Sequence, residues 1–61
     1  MALFYTPDID KSPLLPEEES QHAVKVLRLQ AGEKVELVDG KGNFYKAEVS
    51  IPHHKRCEVR I

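Results

Sequence analysis

The sequence predicts a mainly β fold with one helix: a small α+β domain whose antiparallel strands curl into a sheet or partial barrel. Three observations carry this expectation. Apolar and polar residues alternate in three runs after residue 33. Strong turn chemistry, "DGKGN", separates the first two runs. One segment ahead of them has the spacing of an amphipathic helix, placed to close one end of the sheet.

Each element has its own reason. Leu3–Tyr5, inside the apolar opening "MALFY", reads as a strand. "TPDIDKSP" reads as a loop, because Pro7 and Pro13 bracket Asp8, Asp10 and Ser12. "LPEEESQHAVKVLRLQAG" reads as the helix. Pro16 suits a first helical position, Glu17, Glu18 and Glu19 suit the positive end of the helix dipole, and Gly32 suits the stop. At about 100° per residue, Ala23, Val24, Val26 and Leu27 share one face, so Val26 and Leu27 are expected in the core. The opposite arc carries Glu18, Gln21, His22, Lys25 and Arg28. In the following hairpin, Val35 and Leu37 point inward, as do Tyr45, Ala47, Val49 and Ile51. "PHHKR" is a polar turn, and "CEVRI" puts Cys57, Val59 and Ile61 inward. That last strand runs to Ile61, which suggests a piece of something longer.

Size and charge narrow the function. A chain of 61 residues is a single domain with one small core. It buries only roughly 60% of its unfolded surface, which argues against a self-contained enzyme with a deep pocket. The net charge of −1 is not that of a bulk nucleic-acid binder. The charge is uneven, however: residues 1–33 hold three Lys/Arg against six Asp/Glu, and residues 34–61 hold six against four. A local basic patch is therefore possible. The lone Cys57 allows no internal disulfide, and no apolar run approaches the roughly 20 residues of a membrane span. No signal peptide is recognisable, and a cytoplasmic location without membrane attachment is expected.

Few residues offer chemistry. His22, Lys25 and Arg28 follow one helix side, either as a solvated charged face or as contacts to RNA phosphates and bases. Lys41 lies between two glycines, in a turn that needs them and that can also approach a phosphate closely. His53 and His54 are adjacent and should point apart on an extended chain, so no metal site is expected. Cys57 at an inward position should be inert, and no nucleophile–base set is recognisable. Phe44 falls out of phase with the inward set. It could stack on a base beside Lys41 and Lys46, or pack on another element or domain.

The wording of the helix and hairpin adds a resemblance. His22, Val26, Leu27 and Arg28 spell H-x-x-x-V-L-R, and Gly32, Glu33, Val35, Leu37, Asp39 and Gly40 continue it as G-[DE]-x-[IV]-x-[LV]-x-[DN]-G. The stretch resembles the N-terminal region of the RsmE family, the uridine-N3 methyltransferases of 16S ribosomal RNA. The resemblance implies a PUA-like β-barrel that binds RNA, in a parent with a C-terminal SPOUT domain that binds S-adenosylmethionine and forms a homodimer. It implies 16S ribosomal RNA or the small ribosomal subunit as partner, no catalytic residue and no cofactor in this chain, and RNA contact at the helix, where His22 and Arg28 are the motif positions; Lys25 on the same stripe and Lys41 in the glycine turn are expected to join them. Lys46, Arg56 and Arg60 are further candidates. A stand-alone RNA-binding module and a protein-interaction domain are the alternatives.

Overall fold

Four strands form one mixed sheet in the computed structural model, which describes residues 1–61: β1 (Ala2–Tyr5), β2 (Lys34–Val38), β3 (Phe44–Ile51) and β4 (Glu58–Arg60), ordered β1-β2-β3-β4. The hairpin β2–β3 is antiparallel about the "DGKGN" turn, with Val35 opposite Ala47 and Leu37 opposite Tyr45. β4 runs antiparallel to β3. β1, in contrast, is parallel to β2, with Phe4 opposite Leu37. The expectation of antiparallel strands throughout is corrected here. The loop and helix between β1 and β2 return the chain to the end where it started, as a parallel crossover requires.

The sheet stays open, with β1 and β4 as its edges. Pro13–Leu15 runs along β4 and partly covers that edge: Val59 N–H donates to the Pro13 carbonyl and Leu15 N–H to the Cys57 carbonyl, both at 2.9 Å. The core lies between the inner sheet face and the helix. It is built from Phe4, Val35, Leu37, Ala47, Val49, Cys57 and Val59, joined by Ala23 of the helix and by Ile9 and Leu15 of the loop. Ser20 ties these layers together. Its hydroxyl donates to the Leu15 carbonyl (3.1 Å) and accepts from Cys57 N–H (2.9 Å). No helix is long and apolar enough to cross a membrane.

The helix departs from its predicted course. Pro16 is the cap rather than the first turn, and α1 covers Glu17–Gln21. The chain then widens into a π-helical turn over His22–Val26, where Leu27 N–H reaches the His22 carbonyl five residues back (2.9 Å). Each residue of such a turn rotates by less than 100°, so Val26 does not come round to the face of Ala23. Val26 is 64% exposed and Leu27 41% exposed, and neither belongs to the core. Arg28, not Gly32, ends the helix. It is the only non-glycine residue with positive φ (55°), and beyond it Leu29 N–H donates back to the Ala23 carbonyl (2.9 Å). This is a left-handed C-terminal cap, and Leu29 packs against the core in the place predicted for Leu27.

Two further inward expectations fail at strand ends. A register shift between Val49 and Ile51 breaks the alternation of β3 and leaves Ile51 exposed. Ile61 lies past the last ladder pair and is also exposed.

Candidate nucleic-acid interface

The helix places its stripe on the surface. His22 opens the π-helical turn with its ring edge-on to buried Phe4, centroids 6.4 Å apart. With Glu18, Gln21, Lys25 and Val26 it lines a shallow groove. Lys25 and Arg28 are exposed and neither makes an ion pair. The acidic first turn is partly engaged elsewhere: Glu19 Oε2 accepts the Tyr5 N–H at 2.7 Å, pinning the helix start to the end of β1.

Tertiary folding brings the "PHHKR" turn to this helix. The His54 imidazole is held below the ordinary 6.5, first by desolvation and then by the positive charges of Lys25, His53 and Lys55, with Glu17 opposing. The end of this turn is tied to the helix by the Cys57 N–H, which donates to the Ser20 hydroxyl (2.9 Å), and the Lys25 charge acts on His54, 29 positions further along the chain. The turn is not extended, so the two histidines do not point apart. They stack at 4.9 Å, because His53 Nδ1 accepts the N–H groups of Lys55 (3.1 Å) and Arg56 (3.3 Å) and curls the backbone. Lys55 and Arg56 flank a second depression with Leu14, Ile51, His53 and Glu58. The helix and the turn thus each bring exposed cations to their junction, Lys25 from one and Lys55 and Arg56 from the other.

The remaining candidates lie apart from this junction. Lys41 sits at the hairpin tip, whose shape is set by Asp39. That buried carboxylate accepts Lys41 N–H (2.8 Å), Asn43 N–H (3.1 Å) and Asn43 Nδ2 (2.8 Å). These bonds hold the Asp39 carboxyl below its ordinary value, the Asn43 side chain contributing most. With its oxygens so occupied, Asp39 makes no ion pair to Arg28. Lys46 is exposed on the outer sheet face, opposite Glu36. Arg60 is engaged: its guanidinium lies 3.5 Å from Glu48, which also takes Lys34 at 3.9 Å. Cys57 is buried, and burial pushes its thiol up, away from reactivity.

Sequence reasoning missed the histidine turn as the partner of the helix stripe. Its only signal was the local excess of positive charge in "PHHKR".

Comparison with known proteins places the chain in a family. The chain is similar to a probable rRNA-methyltransferase from Porphyromonas gingivalis, at 44% identity and a TM-score of 0.89 over 97% of this chain. It spans only 25% of that protein's length. The sequence profile of the RNA methyltransferase PUA domain matches residues 15–61, from Leu15 through the helix, the hairpin and the histidine turn to the end of the sheet. With that profile matched over most of its length on an open four-stranded sheet, the chain belongs to the RNA methyltransferase PUA domain family.

Proposed function

We propose that this chain is the RNA-holding domain of a longer, S-adenosylmethionine-dependent enzyme that methylates N3 of a uridine in 16S ribosomal RNA. The observation that carries the reading is the group of exposed, unpaired cations where the helix meets the histidine turn, Lys25 with Lys55 and Arg56, on a domain of this family. The match of this chain to one quarter of a probable rRNA-methyltransferase supports a larger parent. The motif from His22 to Gly40 supports the RsmE type, with a dimeric SPOUT domain in the remainder and a cytoplasmic site of action.

The division of labour is part of this proposal. Bound to the remainder, S-adenosylmethionine would supply the methyl group. This chain's residues bind and orient. Lys25 and Arg56 attract phosphates, and Arg28, held clear of the helix by its left-handed backbone, can take a phosphate or a base edge bidentately.

The test is the salt dependence of binding to 16S RNA fragments. Each phosphate contact contributes about −0.7 to −0.9 to the slope of log affinity against log salt. Lys25→Gln and Arg28→Gly should each lower both affinity and slope. Affinity that ignores salt and both substitutions would overturn the reading in favour of a protein partner.

A further inference from the structure

The outer face of the sheet carries a feature that the junction of helix and histidine turn does not use. Tyr5, Val38 and Phe44 lie side by side across β1, β2 and β3, directly opposite one another in the ladder. Opposed residues share a sheet face, and the inner face at this end is taken by Phe4, Leu37 and Tyr45. Tyr5 is 54% exposed and Phe44 55% exposed. Two strand spacings separate them by about 10 Å. A solvent-facing strand position ordinarily takes a polar residue, yet here two aromatic rings occupy one row.

We infer that Tyr5 and Phe44 form a stacking platform for unpaired bases of single-stranded RNA, with Lys41 and Lys46 holding the flanking phosphates. The inference deepens the RNA-holding role and rests on it. Three observations point to nucleic acid as the occupant. Lys46 stands two residues from Phe44 on the same strand face and makes no ion pair. Lys41 is exposed in the hairpin loop and is likewise unpaired, next to Gly40 on which the Tyr5 ring rests. The Tyr5 ring is also preorganised. A Cβ at Gly40 would stand 2.8 Å from Tyr5 Cε1, and the Tyr5 backbone is fixed by Glu19. A ring that is already fixed loses little freedom on binding. Every base offers a π face, so the platform takes splayed, unpaired nucleotides without selecting a sequence. Acids border the platform on its other sides: Glu36 opposite Lys46, Glu48 two residues beyond it on β3, and Glu17, Glu18 and Glu19, which line a depression with Tyr5; they confine the phosphates to the side of Lys41.

Titration of the full chain with a short oligouridine, followed by NMR at low salt, tests this. The ring protons of Tyr5 and Phe44 should move upfield under the ring current of a stacked base. An abasic oligomer of equal length should leave them in place while still moving the amides of Lys25 and Arg28. Phe44→Leu should lower oligouridine affinity about five-fold or more, and Phe44→Trp should restore it. Rings that stay still while Lys25 and Arg28 respond would overturn the platform and spare the RNA-holding role. No response anywhere up to millimolar RNA would overturn both. Rings that shift with protein concentration alone would reassign the face to contact between copies of the chain and so overturn the platform.

Discussion

Replacing Arg28 by glycine should make this domain more stable and a weaker RNA binder at the same time. Arg28 has φ 55° at the position after the helix where glycine is the usual residue. Left-handed backbone costs a non-glycine residue about 1–2 kcal/mol. Glycine removes that strain but adds unfolded-state freedom of about 0.4–1 kcal/mol. The net gain is therefore about 0.5–1 kcal/mol, or about 2–8 °C in Tm for a domain this small. The side chain offsets nothing in the fold, since it is exposed and makes no ion pair. Its loss should cost a charge-assisted contact of about 1.5–3 kcal/mol, roughly tenfold or more in RNA affinity. Arg28→Ala is the control: it keeps the left-handed strain, so Tm should stay near that of the unmodified chain while affinity falls equally. Thermal unfolding and RNA titration on both variants suffice. A lower Tm for Arg28→Gly would show that the side chain is structural, and the assignment of Arg28 to RNA would fall.

Other consequences can be checked on the same chain. Leu37→Ala, at a fully buried site, should cost about 2–5 kcal/mol in urea unfolding, whereas Val26→Ala, at an exposed site, should change stability by less than about 0.5 kcal/mol. The Asp39 carboxyl is lowered from 3.8 by its hairpin bonds, so its stabilisation is complete above that value and is lost as pH falls through the lower folded value. Asp39→Asn should flatten this acid limb, and an unchanged limb would mean that the bonds are idle. His54 is lowered from 6.5, so the folded state disfavours its protonation and stability should rise with pH between the lowered value and 6.5. In an NMR titration Lys25→Gln should move the His54 midpoint upward, and no movement would separate the two groups in space.

What the sequence determined by itself is local. The two-residue alternation places Val35, Leu37, Ala47, Val49 and Val59 inward, because each strand residue's side is set by its neighbours along the chain. "DGKGN" specifies the hairpin, because Gly40 and Gly42 accept positive φ and Asp39 can bond its own loop. The alternation also predicts an exposed Phe44, and the structure agrees. The tertiary structure decided everything that depends on which distant surface a segment meets. β1 lies parallel to β2, a choice of strand partner that no local pattern encodes. The loop residues Ile9 and Leu15 are drawn into the core to cover the inner sheet face. The helix widens and then turns at Arg28, so that Leu29 rather than Leu27 meets the core and Arg28 is carried off the helix stripe. The Lys25 charge acts on His54 because the chain after the histidine turn is bonded to the helix, Cys57 N–H to the Ser20 hydroxyl, a meeting of segments that lie far apart in the sequence.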